Sequence, residues 1–494
     1  MSSDGSEART GIEGLDDVLS GGLSRGNLFL LEGEPGAGKT TVAIQFLLEG
    51  ARRGERCLYI SLSETEDELR KTIASHGWTL PELFVIHELV PADAVLARDN
   101  EQSLLYSADL ELGETTRQIL ETVDRVKPER VVLDSLSEIR LLAQSSLRYR
   151  RQILAVKQYF SKLSATVLFL DDLTAETGDK TVHSIAHGVI RLEEVTPDYG
   201  AGRRRLRVLK YRGQQYRGGY HDFAIKRGGV QVYPRLVALE HRVPYERTQL
   251  SAGLPPLDAL LGGGVERGSS TLIIGPAGTG KSLMALTFAI AAISRGEKVA
   301  LFAFDEEKAL LLDRTRALGM NLEKCIEEGS LFIDQVDAAQ VTPGEFAYRV
   351  RDLVDSNGIS EVIIDSVNGY RAAMPEENSL ILHIHELLQY LNRRGASTFM
   401  TVAQHGIVGS MDAPVDLTYL ADTVILLRYF EARGEVRRAV SVIKKRAGRH
   451  ETTIREFRIG EHGLRLGDPL TEFTGVLVGV PTFTGGSLPP TRGT

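Results

Sequence analysis

Two octapeptides in the chain have the residue types and spacing of a phosphate cradle. Gly33-Glu-Pro-Gly-Ala-Gly38-Lys39-Thr40 and Gly275-Pro-Ala-Gly-Thr-Gly280-Lys281-Ser282 both satisfy G-x-x-x-x-G-K-[ST], and each follows an apolar run and precedes a helical pattern. In that context Gly33, Gly36 and Gly38, like Gly275, Gly278 and Gly280, allow successive backbone N–H groups to turn toward phosphate oxygens. Lys39 and Lys281 then reach the β- and γ-phosphates, and the hydroxyls of Thr40 and Ser282 ligate Mg²⁺. Thr41 and Leu283, the next residues of the two helices, complete the expected nucleotide contacts. The chemistry implied is the binding of ATP with Mg²⁺, twice in one chain.

Phosphate chemistry also needs carboxylates. Asp134 ends the apolar run VVLD and Asp365 ends VIID, each followed by Ser, where a side chain beside the P-loop strand holds Mg²⁺ through water. A base that polarises the attacking water, or accepts a hydroxyl proton, fits at the end of the strand after the P-loop helix. The candidates there are Glu64 in SLSET, and Asp305 with Glu306 in FAFDEE.

A third feature is basic. Arg203, Arg204, Arg205, Arg207, Lys210, Arg212 and Arg217 crowd one stretch, and Arg437 to Arg446 answer it later in the chain. Three readings stand: contact with nucleic acid, a solvated face, or a finger that reaches a neighbour's γ-phosphate. Side chains two apart on a strand share a face, so Lys210 with Arg212, and Lys444 with Arg446, point at one target. Recurrence of the strip together with the P-loop favours the phosphate finger.

These side chains need elements to carry them, and the chain supplies two sets. Thr10–Gly33 is answered by Ser251–Gly275, VVLDS by IIDS, and RRRLRVLKYRG by RRAVSVIKKRAG, at nearly constant offset. Such self-similarity is the mark of a duplicated domain. Short apolar runs alternate with longer helical patterns, which predicts α/β architecture with a mostly parallel sheet. Strands are expected at 28–31, 57–61, 131–134, 166–171 and 188–192, and again at 271–275, 299–304, 362–365, 397–402 and 422–429. The domains are expected over residues 1–240 and 241–484, with 485–494 a disordered tail.

Composition narrows the class. The chain has 494 residues, 42% hydrophobic and 25% charged, enough for large cores. A net charge of -8 argues against a surface built wholly for nucleic acid. Two cysteines far apart imply neither a disulfide framework nor zinc. The polar N-terminus and the lack of a long apolar run lead us to expect a cytoplasmic protein without a membrane partner.

The two consecutive P-loop domains, the GG-L/V-x-R-G opening of each, the Asp-Ser pair and the K-x-R strip together resemble the KaiC family, duplicated RecA-type ATPases of bacterial clocks. The resemblance runs from about Thr10 to Thr484. It implies two tandem RecA-like P-loop domains, a double-ring homohexamer with ATP between subunits, ATP hydrolysis in the first ring, and Ser/Thr autokinase with autophosphatase activity in the second. By the same resemblance Ser75 contacts nucleotide, and Arg438, Lys444 and Arg446 reach a neighbour's nucleotide, as Lys210 and Arg212 do in the first ring. The family's Glu-Glu pair is Ser63-Glu64 in the first copy and Asp305-Glu306 in the second. Its paired phosphoacceptors correspond to Thr418-Tyr419. The segment 473–484 resembles a regulatory loop, and the long KaiA-binding tail is replaced by GGSLPPTRGT, so KaiA control is not expected, whereas a KaiB-like partner is compatible with the first ring. A RecA/RadA-like DNA-binding motor and a nucleotide-switched scaffold with little turnover are the competing functions.

Overall fold

A computed structural model describes residues 6–89, 104–173, 181–196, 200–372, 377–404, 417–432, 434–461, 463–478 and 482–484. The chain divides into two compact units, Met1–Arg235 and Leu236–Thr494. The proposed tail, 485–494, lies outside the described residues.

The first unit is built on a nine-stranded sheet. We number its strands β1 Leu28–Gly33, β2 Cys57–Ser61, β3 Phe84–Glu88, β4 Arg130–Asp134, β5 Thr166–Asp171, β6 Gly188–Val195, β7 Arg203–Tyr211, β8 His221–Lys226 and β9 Gly229–Tyr233. Their order across the sheet is β3-β2-β4-β5-β1-β6-β7-β8-β9. The six strands from β3 to β6 are parallel, and β6 to β9 continue antiparallel.

The second unit repeats the plan. Its strands are β10 Ser270–Gly275, β11 Lys298–Ala303, β12 Leu331–Gln335, β13 Ile359–Asp365, β14 Ser397–Ala403, β15 Thr423–Ala432, β16 Glu435–Lys445, β17 Arg455–Gly460 and β18 Gly463–Pro469. The order β12-β11-β13-β14-β10-β15-β16-β17-β18 is the first order with every label advanced alike. The expected α/β fold, two RecA-like domains with mostly parallel sheets, is the fold observed.

Central strands read as continuous apolar runs because helices cover both of their faces. β1 (LFLLEG) and β10 (STLIIG) are buried at every position. On one face of the first sheet, helix α1 (Lys39–Arg52) packs Val42, Ile44, Phe46 and Leu47 against Phe29, Leu31 and Tyr59. On the other, α2 (Ser146–Leu163) packs Ile153, Val156 and Phe160 against Leu30, Leu58 and Val131. In the second unit, α3 (Lys281–Ser294) and α4 (Glu377–Arg394) cover the two faces in the same way. At roughly 25 cal/mol per Å² of apolar surface, these two-sided cores dominate the stability of each unit. Their rigidity is what lets strand ends hold chemistry in register.

Candidate nucleotide sites

Each P-loop joins the central strand to the helix that follows it. α1 begins at Lys39 directly after Gly38, whose φ of 101° is left-handed, and α3 begins at Lys281 after Gly280 at φ 104°. A side chain at either glycine is disfavoured twice. The backbone region suits only glycine, and an added Cβ would sit 2.6 Å from Ile225 Cδ1 or 2.9 Å from Ile459 Cδ1. Gly36 is also left-handed, and nothing lies within 4 Å of where its Cβ would stand, which leaves open the concave side of the loop.

In the first unit Lys39 is buried, and its Nζ donates to Gly33 O and Glu34 O, each at 2.9 Å. A third contact, at 2.8 Å, is an ion pair with Asp172, a residue that sequence reasoning did not select. Asp134 ends β4 and is buried, and Tyr59 on β2 donates its hydroxyl to Asp134 Oδ2 at 2.5 Å. Burial holds that hydroxyl well above the usual tyrosine range, and Thr40, close beside it, opposes the rise. The two expected metal ligands, Thr40 and Asp134, therefore lie together. Burial pushes Asp134 up to about 6, with Glu64 and Asp172 adding to the rise and Tyr59 and Lys39 opposing it. Glu64 is raised as well, by burial first and then by Glu68 and Asp172, and its Oε2 is buried with no hydrogen-bond partner among the described residues. An orphaned carboxylate oxygen beside a cradle lysine and a buried aspartate fits a site that takes a hydrated Mg²⁺ and phosphates. There Thr40 and Asp134 would hold the metal, and the metal would neutralise phosphate charge.

The second unit holds its groups differently. Lys281 Nζ donates to Pro276 O at 2.8 Å. Burial lowers its pKa, while Asp365 and Asp305 pull it back up. Asp365 accepts from Thr401 Oγ1 at 2.5 Å. Asp305 accepts a hydrogen bond from Ser366 Oγ, so it is anchored to the turn after β13. Glu306 instead forms a 2.7 Å ion pair with Arg314. The two candidate bases thus have unequal freedom. Gln404, also missed in the sequence, follows β14 beside the P-loop strand, with its backbone N–H bonded to Gly275 O and its side-chain oxygen buried without a partner among the described residues. Its signal, a polar residue ending a buried strand, was present but weak.

The K-x-R residues stand at the other end of each sheet. Lys210 pairs in register with Val189 at the start of β6, whereas Gly33 opposite Leu192 ends β1. Lys210 Nζ donates to His183 O at 2.6 Å and Ala186 O at 2.8 Å, and Arg212 donates to Ser184 O at 2.8 Å. In the second unit Lys444 donates to Thr418 O at 2.8 Å and Ala421 O at 2.7 Å, and Arg446 to Tyr419 O at 2.7 Å. The pairs are anchored alike, and in the second unit the anchor is the turn that carries Thr418 and Tyr419. Tyr419 is half-exposed. Arg446 also lines a cavity of about 620 Å³ with Arg242, Arg247, Arg267, Arg393 and Lys445. A six-residue strand spans about 20 Å, so neither K-x-R pair reaches the P-loop of its own unit.

Arg438 is not with them. It pairs with Tyr429, whose hydroxyl donates to Ala277 O in the P-loop, and its guanidinium lies 5.6 Å from the Tyr429 ring centre. Ser75 ends the helix Glu66–Ser75, exposed, with its hydroxyl donated back to Thr72 O. In the basic strip, Arg204 pairs with Glu194 at 3.0 Å, and Arg205 and Arg207 pair with Glu193 at 3.0 and 3.4 Å. Arg205 and Arg207 also lie over the Tyr220 ring. Part of the strip's charge is thus met within its own sheet, two glutamates facing three arginines, which weakens the nucleic-acid reading.

A family model described as the KaiC ATPase matches the chain twice, over residues 8–237 and 250–470. The chain belongs to the KaiC ATPase family. It is 28% identical over 489 residues to circadian clock protein KaiC3 of Synechocystis sp., covering 96% of this chain and 94% of that protein. It is 27% identical to circadian clock oscillator protein KaiC of Thermostichus vulcanus, with 96% and 91% covered, and 27% identical to circadian clock protein KaiC2 of Synechocystis sp., with 92% and 80% covered. Membership of this ATPase family carries nucleotide binding with it. Among the described residues, no helix is long and apolar enough to cross a membrane.

Proposed function

We propose that the protein is a cytoplasmic homohexameric ATPase that also phosphorylates itself, with ATP and Mg²⁺ bound at both P-loops. Glu64 is the base for hydrolysis in the first ring. In the second, Asp305 accepts the proton of the Thr418 hydroxyl of an adjacent subunit as the γ-phosphate is transferred to it. The observation that carries this reading is the placement of Lys444 and Arg446 on the Thr418–Tyr419 turn, at the sheet end opposite the P-loop. A finger and an acceptor that share one anchor, about 20 Å from their own P-loop, make sense as contacts to a neighbour's ATP. Thr418 is the expected acceptor, since the Tyr419 ring would have to withdraw to bring its oxygen to the same place. Glu306, held by Arg314, is the reserve base.

Intact-mass analysis after incubation with ATP and Mg²⁺, with and without Lys281→Ala, tests the kinase. One added phosphate, mapped to Thr418 and lost in the variant, is expected. Phosphate on Tyr419 alone, or none after long incubation, overturns the assignment. Light scattering with ATP should give about six chains, and a strict monomer at saturating nucleotide would remove the finger argument.

A further inference from the structure

Strand register sets four positions of the two sites in correspondence. Ser61 pairs with Asp134 and Ala303 with Asp365, so Ser63 and Glu64 match Asp305 and Glu306. Glu32 pairs with Asp171 and Gly275 with Ala403, so Asp172, the next residue after β5, matches Ala403. The second site has an acid at 305 and Ala at 403. The first site has Ser at 63 and an acid at 172. The acid has changed strands.

Asp172 is also held toward the cradle. Its neighbour Asp171 is engaged elsewhere, by Arg140 at 2.7 Å and Ser137 at 3.3 Å, and the Asp172 backbone N–H donates to Ser137 Oγ at 3.4 Å. The Asp172 carboxylate is left to meet Lys39 at 2.8 Å. With Gly33 O and Glu34 O it gives the ammonium three acceptors for three donors, and of these only Asp172 is charged. Lys281 has its charge partners in Asp365 and Asp305 instead.

We propose that Asp172 is a positioning residue of the first nucleotide site, the counter-ion that holds Lys39 over the phosphate cradle in place of the acid absent at Ser63. The inference rests on the nucleotide-site reading above and assigns this residue a task within it. An incoming phosphate competes with Asp172 for Lys39, so the carboxylate weakens ground-state binding while it orients the lysine for turnover. The two effects of removing it have opposite signs.

The test uses the full chain carrying Lys281→Ala, so that only the first site titrates, with Mg²⁺ and a fluorescent N-methylanthraniloyl-ADP as probe. Asp172→Asn should tighten the probe about three- to tenfold, by removing a like charge beside the phosphates. The same variant should lower kcat for ATP about tenfold, as the lysine loses its orientation. Adding Ser63→Asp to Asp172→Ala recreates the second site's arrangement and should return kcat to within about threefold of the parent, a coupling that additive sites do not show. Unchanged affinity and kcat in Asp172→Asn would overturn the proposal. So would weaker binding together with a lower melting temperature, which marks a residue that only supports the fold, or a failure of Ser63→Asp to restore turnover. A parent that binds no labelled ADP would overturn the nucleotide-site reading itself and this inference with it.

Discussion

The two nucleotide sites hold the corresponding aspartate from opposite sides. In the first, Asp134 is held by Tyr59 on β2, and the extra acid, Asp172, follows β5. In the second, Asp365 is held by Thr401 on β14, and the extra acid, Asp305, follows β11. β2 corresponds to β11 and β5 to β14, so donor and acid have traded strands. Tyr59 corresponds to Leu301, and Thr401 to Leu170. A long phenol reaches across from one flank, and a short threonine suffices from the other. The lesson is that a duplicated site conserves its charge count and its satisfied aspartate, not the position that supplies each group.

The largest expected difference concerns Glu64. With Lys281→Ala silencing the second site, Glu64→Gln should lower ATP turnover about 10²-fold, the scale of a positioned base. Nucleotide should stay bound, because Lys39 and Thr40 remain. Steady-state hydrolysis beside a binding titration checks both, and unchanged turnover would remove Glu64 from this role.

The second site should divide its two acids unequally. Asp305→Asn should cut phosphate incorporation at Thr418 roughly 10- to 100-fold, whereas Glu306→Gln should cost less than about threefold while Arg314 holds Glu306 away. Replacing Arg314 with Ala in the Asp305→Asn background should return part of the lost activity. Quantitative phosphopeptide mapping over time reads all three, and equal losses from the two single changes would erase the distinction.

Much of this architecture was legible in the sequence because it rests on periodicity and glycine. The ten expected strands lie at or within the observed ones to one residue at their ends, since central strands buried on both faces leave unbroken apolar runs. The antiparallel strands β7 to β9 and β16 to β18 carried no expected bounds, and β3 (FVIHE) and β12 (LFIDQ) were not expected at all. These last two are edge strands with half-buried, polar-interrupted patterns, which resemble loops. The P-loops and their aspartates were equally plain. Asp172 was not, because an Asp-Asp pair after a strand looks like a solvated turn until pairing shows which lysine it faces. Arg438 shows the reverse limit: the resemblance groups it with Lys444 and Arg446, but five residues of strand separate it from Lys444.

The trade of donors has a stability consequence. Tyr59→Phe leaves the buried Asp134 without its hydroxyl donor, at about 1–3 kcal/mol, and Thr401→Val does the same to the half-buried Asp365, toward the lower end of that range. Denaturant unfolding without nucleotide should show the two losses in different units. The pair Tyr59→Leu with Leu170→Thr, which rebuilds the second site's arrangement in the first, should be less destabilised than Tyr59→Leu alone. If it is not, the two flanks are not interchangeable.

The smallest expected effect comes with pH. His221 on β8 is fully buried, accepts from the Arg235 backbone N–H at 2.9 Å, and so holds its own proton on Nε2 toward Arg217 O at 2.9 Å. A second proton would have to enter on the nitrogen that already faces an N–H donor. Burial pushes its pKa down to about 4. The folded value lies below the unfolded value of about 6.5, so between these limits the unfolded chain binds a proton that the fold refuses. Stability from this group is therefore complete above about pH 6.5 and lost progressively as pH falls toward 4. The corresponding position in the second unit is Arg455, which pairs with Glu451 at 2.9 Å. Acid should thus weaken the first unit through His221 by roughly 1–3 kcal/mol by pH 4, and the second unit carries a comparable term in His383, which burial also pushes down to about 4. Unfolding followed by hydrogen exchange at pH 7, 5.5 and 4.5 resolves the units, and His221→Gln should flatten the first unit's dependence in that window. An equally steep profile in the variant would assign the acid sensitivity to the carboxylates instead.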